Sequence, residues 1–138
     1  MNAPRRLHEV VVPLEWIDYN GHVNDSRHFQ MTSETVDRFL EMIGADATYR
    51  SGGHSWFTVE SHVRFIAQAF LGDRLYGEVR PLACDEKRLR VSCTVRNAVD
   101  NREICTAEHL LLHVDTTANR VVPAPDVMRA RVTQLLAD

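Results

Sequence analysis

The chain has 138 residues, 44% of them hydrophobic and 25% charged, which suits one globular unit over 1–138 with a single core and leaves no comfortable room for a second. A net charge of −3 and an isoelectric point near 6.1 give no electrostatic reason to expect nucleic acid or an anionic membrane as partner, so an anionic ligand must be held by a local cluster. No run approaches the roughly 18 apolar residues of a spanning helix, and the N-terminal stretch, broken by Pro13 and Glu15, lacks a signal-peptide core.

Leu7 to Leu14 is rich in β-branched residues and stops at Pro13, which predicts a first strand at an edge. A polar, aromatic loop from Glu15 then runs into a predicted helix over 25–43. Phe29, Val36, Phe39, Leu40 and Ile43 make one apolar stripe on it, Gly44 stops it, and Asn24, Asp25 or Ser26 would cap its start. At about 1.5 Å per residue it is roughly 28 Å long, enough to cross a small sheet.

Residues 45–53 read as a connection through Ser51, Gly52 and Gly53. Over 55–66 strict alternation places Phe57, Val59, Ser61, Val63 and Phe65 on one face and Trp56, Thr58, Glu60, His62 and Arg64 on the other. Further strands are predicted over 74–82, 88–98 and 103–115, separated by turns at Gly72-Asp73, Asp85-Glu86-Lys87 and 97–101, with a loop over 116–125 and a short helix over 126–136. One long helix on a run of four antiparallel strands is α+β, not the alternating pattern of nucleotide folds. Because a single helix covers only one face of a sheet, the other face or an edge is expected to meet another subunit. Cys84, Cys93 and Cys105 are odd in number, lie in strand-like stretches and show no metal-ligand spacing, which suits reduced thiols in a cytoplasmic protein.

The loop Trp16-Ile-Asp-Tyr-Asn-Gly-His-Val-Asn-Asp25 concentrates chemically able side chains: Asp18, Asn20, His22, Asn24 and Asp25. It abuts a helix N-terminus, where unpaired N–H groups and the positive end of the dipole stabilise an oxyanion and keep a carboxylate ionised. The same residues also make a plain capping and turn cluster, and local pattern alone leaves both readings open.

Asp18-x-Asn20-Gly21-His22-Val23-Asn24 leading into a long helix resembles the opening signature of the hot-dog-fold acyl-CoA thioesterases of the 4-hydroxybenzoyl-CoA thioesterase type. The resemblance extends to Gly72-Asp73 and to Asp115 followed by Arg120-Val-Val-Pro123, and so covers nearly the whole chain. More narrowly, Glu15 to His22 followed by Gly53 to Phe65 is similar to the betainyl-CoA thioesterases of carnitine breakdown, which occur alone or fused to carnitine dehydrogenase. The resemblance implies an α+β hot-dog fold, an antiparallel sheet wrapped around one central helix, in a homodimer or dimer of dimers acting on acyl-CoA. It also implies that Asp18 is the reactive carboxylate, attacking the thioester carbonyl or activating a water, with the polarising N–H at Asp25 or its neighbour Asn24. Neither route needs a metal or a redox cofactor. Many members carry another aspartate two residues earlier, where this chain has Trp16.

Trp16 beside Tyr19, with Trp56 and Glu60 on a later strand, suggests an aromatic, acidic pocket for the quaternary ammonium of a betainyl group, with Asn20 and His22 as further substrate-binding residues; His22 would also order the loop by hydrogen bonding, and His54 or His62 would approach it from the second strand. The plainer alternative has the tryptophans filling an interface and Glu60 solvated. His109 and His113 share a strand face about 13 Å apart, too far for one ion, so no metal site is expected. Glu34 lies in the helix without the His-Gly-Gly signature of the branch that uses a helical glutamate, and reads as solvated or interfacial. Arg64, Arg88, Arg90 and Arg120 are the basic side chains available for the CoA phosphates. The competing readings are hydrolysis of another short or aromatic acyl-CoA and a non-catalytic acyl-CoA-binding module; a dehydratase lacks its histidine signature here.

Overall fold

The computed structural model describes residues 3–138. In chain order it forms β1 (Arg5–Val11), α1 (Asp25–Met42), α2 (Ala47–Ser51), β2 (His54–Phe65), β3 (Arg74–Cys84), β4 (Arg88–Asn97), β5 (Glu103–Asp115), the two-residue β6 (Arg120–Val121) and α3 (Asp126–Ala137). The antiparallel sheet has the order β1-β3-β4-β5-β2, with β6 added against β5. Only β3, β4 and β5 form a meander. The run of four strands expected from the sequence is broken because β2 pairs with β5, and the connection through Gly72 carries the chain across the sheet to β3 beside β1.

α1 lies on one face of this sheet. Its buried stripe is His28, Met31, Thr32, Thr35, Val36, Phe39 and Leu40, recurring at helical spacing, and Phe39 is fully enclosed. Phe29, expected to begin that stripe, is instead 39% exposed, because the helix is rotated so that His28 faces inward. The helix lies close against the sheet at Gly77 on β3, where a methyl group would meet Thr35 Oγ1 at 2.0 Å. Two packed clusters divide the core. One gathers Val36, Phe39, Leu40, Trp56, Leu89, Leu111, Met128 and Val132; the other gathers Val12, Trp16, Val23, Met31, Leu75, Val95 and Ile104. α3 joins the first cluster through Met128 and Val132.

β2 departs from strict alternation. Thr58 pairs with Leu111 and Glu60 with Leu110, so Val59 is an extra residue in a β-bulge. Beyond it every side chain changes face. Trp56 and Thr58 therefore share the helix side with Ser61, Val63 and Phe65, while Phe57 shares the outer side with Glu60, His62 and Arg64. The expected grouping of Trp56 with Glu60 is corrected by this one residue. α2, within the expected connection, is a five-residue turn of helix capped by Asp46.

Candidate active site

The loop before α1 is a small closed structure. Ile17 and Val23 form an isolated bridge, the Asp18 N–H donates to the His22 carbonyl at 3.2 Å, and the Gly21 N–H returns to the Asp18 carbonyl at 3.0 Å. Gly21 takes φ +81°, a conformation that side-chain-bearing residues adopt only with strain. This reversal carries the chain back so that the Asn24 N–H donates to the Trp16 carbonyl at 2.9 Å. The Val23 N–H ties the loop to Ala69 at 2.8 Å, and the His22 ring stands edge-on to Phe70.

Asp18 and Asn24 meet at its centre. Asp18 Oδ1 accepts from the Asn20 N–H at 2.8 Å, and Oδ2 accepts from Asn24 Nδ2 at 2.8 Å. The Asn24 carbonyl oxygen of the side chain accepts from the Ser26 N–H at 2.9 Å and from Ser26 Oγ at 2.6 Å, so one amide caps α1 and holds the carboxylate. The Asn20 N–H, then the Asn24 amide, and to a lesser degree His22 hold the Asp18 carboxyl below its ordinary value against a desolvation that opposes them. The group is thus a half-exposed carboxylate, kept ionised, at the positive end of an 18-residue helix. The Asp25 N–H, first in that helix, has no acceptor among the described residues. An ionised carboxylate and a free N–H at one helix start can serve acyl transfer: one group can attack or activate water, the other can receive the carbonyl oxygen.

The structure brings Asp18, Asn20, His22, Asn24 and Asp25 together, but it does not assemble the aromatic and acidic pocket within one chain. Trp16 is 6% exposed, its ring packed into the second cluster, while Tyr19 at the loop tip is 95% exposed. Trp56 belongs to the other cluster, its indole N–H donating to Met128 Sδ at 3.2 Å, and Glu60 points to the opposite side of the sheet. Glu34 accepts from His8 at 3.0 Å and from Gln30 at 2.7 Å, so it is engaged locally. Of the arginines, Arg88 is paired with Asp85 at 2.7 Å and stands with Arg90 in a cleft on the outer face of the sheet. Among the described residues no group of three or more His, Cys, Asp or Glu side chains is placed to hold a metal ion, and Cys84, Cys93 and Cys105 are unpaired. Among the described residues no helix is long and apolar enough to cross a membrane.

Two buried histidines, weighed in the sequence only as metal ligands, have unpartnered ring nitrogens. His109 on β5 takes part in a 2.7 Å hydrogen bond between its Nδ1 and Ser61 Oγ, while its Nε2 has no partner. His28, one turn into α1, stacks edge-on against Phe65 and leaves its Nδ1 unpartnered. The signal for His28 was its place on the buried stripe with Met31, Thr32 and Thr35, where an imidazole needs a reason.

Comparison with known proteins bears on the family and the fold. The family model of the thioesterase-like superfamily matches residues 12–132. A protein of Agrobacterium fabrum named L-carnitine dehydrogenase/betainyl-CoA thioesterase is 45% identical over 97% of this chain, yet the chain spans only 28% of that relative. A Pseudomonas aeruginosa protein named betainyl-CoA thioesterase is 33% identical, with 98% of this chain and 86% of the relative covered. Among solved structures, a Staphylococcus aureus protein in complex with CoA superimposes with TM-score 0.91 at 22% identity over 99% of this chain and 86% of its own. A Thermus thermophilus thioesterase complexed with coenzyme A and zinc gives 0.84 at 20% identity over 100% and 98%. At these identities the structural likeness establishes the hot-dog fold.

Proposed function

The chain belongs to the thioesterase-like superfamily, and from that premise we propose that it hydrolyses a short acyl-CoA thioester to the free acid and CoA, with betainyl-CoA as the favoured substrate. The observation that carries the reading is the Asp18 carboxylate, hydrogen-bonded to Asn24 at the start of α1 and accompanied by the free Asp25 N–H. In one route a carboxylate oxygen bonds to the carbonyl carbon, CoA departs as the thiolate, and water opens the mixed anhydride. In the other Asp18 takes a proton from the water that attacks. Both require Asp18 ionised, which its hydrogen bonds favour.

The names of the Agrobacterium fabrum and Pseudomonas aeruginosa relatives support the betainyl group. A homodimer is supported by β2, an edge strand that exposes Phe57, Val59 and Phe65 beside an unpaired backbone. α1 runs antiparallel to β2, since His28 touches Phe65 while Leu40 lies with Trp56. Two β2 strands paired about a two-fold axis would set the Trp56 end of one against the Phe65 end of the other. The first residues of the partner's β2 would then approach the start of α1; Trp56, packed in its own core, and Glu60, which faces away, do not supply the acyl pocket. The unpaired cysteines suit a cytoplasmic setting.

The test is CoA release from betainyl-, acetyl-, butyryl- and 4-hydroxybenzoyl-CoA. Preference for betainyl-CoA supports the reading whole; preference for an uncharged acyl group keeps the reaction and discards the substrate. Binding of all four without CoA release would replace the reading with a non-catalytic acyl-CoA module.

A further inference from the structure

The start of α1 carries a second polar group that the reaction as described leaves unused. His28 is 5% exposed, and its Nδ1 is one of only two buried side-chain nitrogen or oxygen atoms without a partner among the described residues. A buried polar atom with no hydrogen bond costs stability and calls for an explanation, since an apolar ring in the same place would pack against Phe65 without that penalty. Helical side chains lean towards the N-terminus, so His28 covers the turn that holds Asp25, three residues earlier. Both residues line a cavity of about 200 Å³ together with His22, Val23, Phe65 and Ile66. A water takes about 30 Å³ of liquid volume, so the space suits an organic group rather than a single solvent molecule.

We propose that His28 is a catalytic hydrogen-bond donor, its Nδ1–H acting with the Asp25 N–H as a two-donor pocket for the thioester carbonyl oxygen. This rests on the thioesterase reading and names a residue within that same site. As the attacking oxygen bonds to the carbonyl carbon, the π pair moves onto the carbonyl oxygen, which accepts both hydrogen bonds. Collapse restores the C=O and breaks the C–S bond, the pair leaving on sulfur, and His28 keeps its proton throughout. Burial first, and His22 second, lower the pKa of His28, with Asp25 opposing, so the imidazole donates while neutral. A buried, preformed donor at the wall of the cleft needs no reorganisation when the charge develops.

The experiment compares wild type with His28→Phe and His28→Asn on betainyl-CoA and acetyl-CoA, with melting temperature measured in parallel. His28→Phe removes both nitrogens and should lower kcat by about 10²-fold, the usual effect of losing one oxyanion donor. Its KM should move by less than about threefold, because the donor acts on the transition state rather than on the bound thioester. Its melting temperature should not fall. His28→Asn places an amide nitrogen near the Nδ1 position and should recover kcat to within about tenfold of wild type. Undiminished kcat in His28→Phe overturns the proposal, as do equal kcat losses in the two variants or a loss that follows melting temperature. A wild type that releases CoA from none of betainyl-, acetyl-, butyryl- and 4-hydroxybenzoyl-CoA removes the thioesterase reading itself, whereas an active wild type with an unaffected His28→Phe removes only the donor.

Discussion

Asn24 joins the stability of α1 to the chemistry of Asp18, and two substitutions separate them. Its side-chain oxygen accepts from the Ser26 N–H and hydroxyl, while its nitrogen donates to Asp18 Oδ2 at 2.8 Å. Asn24→Ala removes both functions. Loss of an N-cap costs about 1 kcal/mol, which lowers the melting temperature of a domain of this size by about 4 °C. Asn24→Asp keeps an equally good cap acceptor at the helix N-terminus, but it replaces the amide donor with a like charge facing Asp18. That variant should melt above Asn24→Ala. Its Asp18 carboxyl should titrate at higher pH than in wild type, since the second-largest lowering influence is gone and a repulsion has been added. The assay is kcat for CoA release against pH beside thermal unfolding at neutral pH. The acid limb of the Asn24→Asp profile should move to higher pH. An unmoved acid limb would show that the Asn24 amide does not govern Asp18, and equal melting of the two variants would show that the Asn24 oxygen is not the cap.

Gly77→Ala should destabilise the fold by about 1–3 kcal/mol in chemical denaturation, because its Cβ would lie 2.0 Å from Thr35 Oγ1 and 2.9 Å from Thr35 Cβ and must push α1 off the sheet. Trimming the neighbour in Gly77→Ala/Thr35→Ala should recover part of that loss, and purely additive effects would contradict the close approach. Burial lowers the pKa of His28, His109 and His113, so the unfolded chain takes up protons near 6.5 before the folded one does. Their contribution is therefore complete above that value and declines as pH falls below it. Melting temperature should drop between about pH 7 and pH 5, and the drop should be shallower in His109→Phe. A drop of the same size in that variant would exclude His109 as a contributor.

The parts of the fold legible in the sequence are those that local rules determine. α1 follows from a 3.6-residue pattern with Asn24 to start it and Gly44 to end it, and the Asp18 loop follows from an acidic side chain, a turn-forming Asn20 and a glycine able to take positive φ. The pairing of β2 with β5 is a long-range choice that alternation does not encode. The bulge at Val59 is subtler: one unpaired residue reverses every later side chain, so Glu60 leaves the face that strict alternation assigns to it. The rotation of α1 departs from the apolar pattern for a related reason. Phe29 is the more apolar residue, but His28 stands one position nearer the stripe of Met31, Thr35 and Phe39, and geometry prevailed over hydrophobicity. Trp16 and Trp56 looked like partners because both are aromatic and near candidate residues, whereas each completes a different core cluster.

The central claim is that the Asp18 carboxylate performs the hydrolysis, and it is tested most directly by Asp18→Asn. The substitution preserves shape and leaves an oxygen for the Asn20 N–H, so the circular dichroism spectrum and molecular mass in solution should match wild type. Release of CoA from the preferred acyl-CoA should fall by about 10²-fold or more. Turnover near that of wild type in a correctly folded Asp18→Asn would contradict the account and move the reaction away from this loop.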